Sequence, residues 1–142
     1  MPTIKRIEIR TFAYTVEGLS IDYSMNAVYT PGATLERKGF VVKITDSDGC
    51  VGEWVNVNFD AANVAQATVL AKMLIGRDAD SREKMYDDCK RVQRKLWAFG
   101  YSDLDIALWD LAGKRYGVPV SRLLGGFRER LPTYASTFHG DR

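Results

Sequence analysis

The spacing of hydrophobic positions along this 142-residue chain changes near residue 60, from a period of two to a period between three and four. Before that point Ile7 and Ile9 alternate with Arg6, Glu8 and Arg10, which predicts a half-buried strand over residues 4–12. Phe40, Val42 and Ile44 then point one way, and Val41, Lys43 and Thr45 the other. The tetrapeptide from Asp46 to Gly49 predicts a short hairpin loop in which Gly49 supplies a positive φ, and Val51, Glu53, Trp54 and Val55 form the return strand. Between Glu17 and Leu35 the alternation vanishes among Gly18, Ser20, Ser24, Asn26, Thr30, Pro31 and Gly32, so a long loop carrying Tyr23 and Tyr29 is predicted there.

Past Asn58 the helical period takes over. Asp60 is a good N-cap, and Val64, Ala67, Ala71, Leu74 and Ile75 recur at helical spacing until Gly76. Asp80 and Glu83 have capping-box spacing ahead of an apolar stripe of Met85, Cys89, Val92 and Leu96. Both helices are expected to face the sheet. A third begins with Ser102 as cap and Asp105 three residues on, and carries Leu104, Ala107, Leu108, Leu111 and Ala112 inward. Asp103 and Asp105 at its start, with Lys114 and Arg115 at its end, suit the helix dipole. Ile106, Trp109 and Tyr116 add apolar surface on other faces, so only a larger assembly would cover this helix completely. A short helix over residues 119–124 ends at Gly125 and Gly126, and residues 131–137 read as a strand without a successor. The fold class is therefore α+β, a three-stranded antiparallel sheet followed by a helical bundle.

Composition narrows the function classes. Twenty basic and 18 acidic side chains are mixed along the chain, without a run that would track phosphates, which argues against a nucleic-acid partner. The first residues hold no apolar run long enough for a signal peptide or a membrane span, so a cytoplasmic protein without a membrane partner is expected. Cys50 and Cys89 form no Cys-x-x-Cys pair and read as two buried thiols in a reducing compartment. His-Glu-x-x-His, a phosphate-binding loop and a Gly-x-Ser-x-Gly turn are all missing from the sequence. Asp103, Asp105 and Asp110 superficially suggest a metal cluster, but residues two apart on a helix face different directions, and capping with dipole compensation explains them better.

The run YSDLDIALWDLAGKRYGVPVSRLLGG, from Tyr101 to Gly126, closely resembles the helix and linker that end the capping domain in the mandelate racemase and muconate lactonizing group of the enolase superfamily. LPTYAS, residues 131–136, resembles that family's first barrel strand, and the upstream order of three strands and then helices is also the family's. The resemblance implies a capping domain over residues 1–126, with a linker and the first strand of a truncated (β/α) barrel over residues 127–142. It also implies a dehydratase or racemase in which Mg2+ binds a small carboxylate substrate and a lysine or histidine removes the proton α to it. Chelation would stabilise the enediolate that forms. A barrel of this type needs about 250 residues, so the metal ligands and the base belong to later strands. No catalytic and no metal-binding residue is expected within residues 1–142.

By the same resemblance two loops, residues 17–35 and 54–60, would close over the barrel mouth. Tyr23, Tyr29, Trp54, Asn56 and Asn58 are thus candidates to line a substrate pocket, the amides hydrogen-bonding and the aromatics excluding water. The competing reading has Trp54 packed in the core and the tyrosines anchoring their loop. His139, the sole histidine, would lie at the barrel mouth if it is not a solvated tail residue. The implied partners are the chain's own barrel, a small carboxylate and further copies of the same protein. A stand-alone, non-catalytic α+β module that binds a ligand or partner is the alternative from another class.

Overall fold

The computed structural model of this chain describes residues 1–18, 32–57, 60–94 and 100–134. Three strands, β1 (Ile4–Val16), β2 (Leu35–Asp46) and β3 (Val51–Asn56), form one antiparallel sheet in the order β1-β2-β3. Among the described residues four helices follow: α1 (Ala61–Leu74), α2 (Arg82–Gln93), α3 (Tyr101–Tyr116) and α4 (Val120–Leu123).

Register explains which face of the sheet is buried. Ile7, Ile44 and Gly52 lie side by side across the three strands, as do Ile9, Val42 and Trp54 in the next row, and these rows face the helices. Glu8, Lys43 and Glu53 form an intervening row on the opposite face, where Lys43 pairs with Glu53 at 3.5 Å. The two-residue period therefore sorts the sheet as expected, with Phe40, Val42 and Ile44 fully buried. β1 and β2 run further than the alternation indicated: residues 12–16 pair with residues 35–39 beyond the last residue of β3.

Helix α3 lies on β3 with almost no spacing. A Cβ at Gly52 would collide with the Ala107 carbonyl oxygen and come within 2.6 Å of the Leu111 nitrogen, so only glycine admits this approach. Leu104, Ala107, Leu108 and Leu111 are buried in this contact, and Ala67, Leu70 and Leu74 of α1 complete the core from the side. Asp60 caps α1 as expected, its carboxylate accepting from the Ala62 nitrogen at 2.8 Å. Ile75, assigned to the buried stripe, instead follows the last helical residue and is about half exposed, because the chain has already turned extended there.

Two predicted caps differ from the structure. Ser81, not Asp80, is the N-cap of α2 and makes no side-chain capping bond; the turn before it is held by Asp78, whose carboxylate accepts from the Asp80 nitrogen and the Ser81 hydroxyl. Gly100, at φ +81°, is the N-cap of α3, and Ser102 lies exposed inside the helix. The cause is steric: a side chain at residue 100 would press on the Ala67 nitrogen and the Asn63 carbonyl of α1, so a capping serine has no room. Helix α2 packs on α3 and α1 instead of the sheet. Leu96 lies outside the described residues. Residues 131–134 form no strand, since a strand needs a neighbour to bond with, and the rest of that predicted strand lies outside the described residues.

Candidate functional site

The end of β3 meets the first turn of α3 at Asp103. This carboxylate is only 3% exposed, and its Oδ1 accepts two hydrogen bonds from alternate residues of β3, from Trp54 Nε1 at 2.9 Å and from Asn56 Nδ2 at 2.9 Å. Trp54 and Asn56 point the same way because the strand period is two, and they reach α3 because Gly52 brings strand and helix together. No cation pairs with Asp103 among the described residues. Its charge is instead met by two charge-assisted hydrogen bonds and by the positive end of the α3 dipole. Asp103 thus suits the dipole as expected, but its carboxylate is spent on a tertiary clamp that helix rules do not foretell.

Beside this clamp, Trp54, Ile106, Trp109, Val120 and Leu124 line an open apolar depression of about 400 Å3, with Glu53 and Asp110 on its rim. Ile106 is 40% and Leu124 64% exposed, and Phe127, Leu131 and Tyr134 beyond them are largely bare. The Arg82 guanidinium stacks 4.5 Å from the Trp109 ring. Asp110 accepts from the Glu53 nitrogen at 2.8 Å and pairs with Lys114 at 2.6 Å, which raises the ammonium's affinity for its proton. Asp105 is the third acid of α3. Burial, and then the charge of Glu83, push its carboxyl above the ordinary range, with Arg82 pulling weakly the other way.

A second buried carboxylate closes the opposite end of the helix. Asp46, with no exposed surface, accepts from the nitrogens of Asp48 and Cys50 and so shapes the hairpin turn, whose Gly49 has the expected positive φ. Arg115 Nε lies 3.2 Å from Asp46 Oδ2, an ion pair without hydrogen-bond alignment, while Arg115 Nη1 reaches Asp80 at 2.8 Å. Asp80 also accepts from the Tyr116 hydroxyl at 2.6 Å. Both cysteines are free; Cys89 is buried, and burial pushes its thiol up to about 11, whereas Cys50 is half-buried at the turn end of the hairpin.

Of the residues singled out in the sequence, the structure brings together Trp54 and Asn56, both half-buried and both turned onto Asp103. Tyr23, Tyr29, Asn58 and His139 lie outside the described residues. The Asp103 acceptor was missed; its only sequence signal was an acid on the inward side of an otherwise apolar helical stripe. Among the described residues no three His, Cys, Asp or Glu side chains come close enough to hold a metal, so the donor set they offer does not fit magnesium. No described helix is long and apolar enough to cross a membrane.

The chain thus has an α+β architecture, a three-stranded antiparallel sheet backed by helices, with apolar side chains exposed on α3. The family described as mandelate racemase / muconate lactonizing enzyme, N-terminal domain, matches residues 22–125, and the chain belongs to that family of the enolase superfamily. It is 37% identical over 106 residues to a D-galactarolactone cycloisomerase of Agrobacterium fabrum, covering 70% of this chain and 28% of that one. An arabinonate dehydratase of Saccharolobus solfataricus is 30% identical over 136 residues, covering 89% and 36%. The fold superposes on the crystal structure of D-glucarate dehydratase from Agrobacterium tumefaciens complexed with magnesium, with a TM-score of 0.70 and 29% identity, covering 89% of this chain and 33% of that one. The chain spans about a third of the length of the curated relatives it matches.

Proposed function

We propose that this chain is the substrate-capping domain of a cytoplasmic enzyme that removes the proton α to the carboxylate of a small acid sugar, leading to dehydration or cycloisomerisation. The observation that carries this reading is the family match over residues 22–125, joined to relatives whose names are cycloisomerases and dehydratases of acid sugars. Magnesium would be held by residues outside 1–142 and would there supply electrostatic stabilisation of the enediolate. The capping domain's own part is binding and water exclusion, through residues 17–35 and 54–60, with Trp54 and Asn56 presented at the end of β3. The apolar face of α3 and α4 is assigned to contact with the barrel, and residues 127–142 to the linker and first barrel strand.

Exchange of the α proton for deuterium tests the reading. Glucarate, arabinonate and galactarolactone are incubated in D2O with magnesium, once with the 142-residue chain and once with the protein extended through its downstream reading frame. Exchange only with the extended protein is expected. Exchange by the short chain alone would overturn the capping role, and silence of the extended protein on every acid sugar would remove the activity. A stop codon directly after Arg142 would favour a stand-alone binding module.

A further inference from the structure

We propose that Asp103 is a positioning residue of the cap, fixing Trp54 and Asn56 so that the whole enzyme's substrate affinity depends on a carboxylate that touches no substrate. The inference rests on the capping role, since only a cap turns side-chain orientation into substrate affinity. Three observations carry it. The first is convergence: two donors from alternate positions of one strand meet a single oxygen, each at 2.9 Å, across 49 and 47 residues of sequence. Such a bond pair fixes the direction of the indole N–H and of one amide N–H together, because both must point at the shared oxygen.

The second is charge. A carboxylate buried to 3% exposure without a cation among the described residues is an expensive way to hold two neutral groups, and a hydroxyl or amide acceptor would satisfy the same donors with less desolvation. The charge does add strength and a short, directional contact, which a geometry-critical role uses. The third is place. Asp103 holds Trp54 and Asn56 at the end of β3, where the 54–60 stretch assigned to substrate binding begins. The sheet itself is held by the fully buried Phe40, Val42 and Ile44 and by the Gly52 contact, and Trp54 packs against that core only in part.

The test has two arms. In the 142-residue chain, the Trp54 indole N–H is assigned in proton–nitrogen spectra by its loss in Trp54→Phe. It should be shifted downfield and slow to exchange in the wild type, displaced and fast in Asp103→Ala, and close to wild type in Asp103→Asn, whose amide oxygen still accepts. In the extended enzyme, Asp103→Ala should raise KM for the acid sugar on the order of tenfold with kcat nearly unchanged, and Asp103→Asn should restore most of it. A fast-exchanging Trp54 indole in the wild type overturns the proposal, as does an unchanged KM in Asp103→Ala with the indole displaced. An Asp103→Asn enzyme with its indole restored but its KM still high overturns it as well. Should the extended wild type act on no acid sugar, the capping reading fails separately, while the indole arm still decides whether Asp103 fixes Trp54.

Discussion

The two buried carboxylates at the ends of α3 solve the same problem differently. Asp46 faces a guanidinium and two backbone amides, so its charge is largely neutralised where hairpin and helix meet. Asp103 faces an indole and a side-chain amide and leans on the helix dipole for the rest. An acid paired with arginine and backbone N–H groups braces the fold, because all of those partners exist only once the chain has turned. An acid that binds two mobile side-chain termini orders those termini. The difference between the two ends of one helix is thus a difference between building the domain and aiming part of it.

The largest expected effect is at the bracing end. Asp46→Ala removes one of the two acidic partners of a mostly buried arginine and the acceptor of two turn amides, and should cost about 3–5 kcal/mol of stability, read from urea unfolding of the 142-residue chain. A loss below about 1 kcal/mol would erase the distinction, since Asp46 would then contribute no more than a typical hydrogen bond. Next comes the seat between the two ends. Gly52→Ala should lift α3 from β3 at a cost of about 3 kcal/mol, and both carboxylates should lose their partners together. Simultaneous loss of the Trp54 indole signal and of Arg115 side-chain protection would confirm that one contact serves both.

Asp103→Ala should cost less, about 2 kcal/mol by thermal or urea unfolding, because it strands two donors but no cation. A cost exceeding that of Asp46→Ala would reverse the assignment of roles. The smallest effect concerns Asp105, the acid of α3 that lacks any such arrangement. Its folded carboxyl holds its proton more tightly than an unfolded one, chiefly through burial. The stabilisation from that proton is present at acid pH and lost as pH rises through the folded value, so ionised Asp105 opposes folding near neutrality. Asp105→Asn should therefore raise the melting temperature slightly at pH 7 and leave it unchanged near pH 3. A lower melting temperature at pH 7 would mean that the carboxylate has a favourable partner.

Much of this was legible in the sequence where the signal is periodic. Alternation at Phe40, Val42 and Ile44 and the 101–116 stripe placed the sheet face and the helix, since both follow from backbone geometry and solvent alone. The single capping signals were read less well. Asp80, Ser102 and Asp103 all carried the local mark of a helix start, yet Asp80 serves Arg115 and Tyr116, Ser102 caps nothing and Asp103 serves β3. A carboxylate near a helix terminus satisfies the same local statistics whether it accepts from its own backbone or from a strand 49 residues away.

What the sequence determined by itself is the order of elements from β1 to α4, most of the apolar stripe that each buries, and the family to which residues 22–125 belong. These depend on hydrophobic period and on a long contiguous motif, both read along the chain. What only the tertiary structure decided is which polar groups meet: Trp54 and Asn56 on Asp103, Arg115 on Asp46 and Asp80, and helix α3 against Gly52. Hydrogen bonds and steric contacts act over about 3 Å in space, and no periodicity records which distant residues packing will bring within that distance.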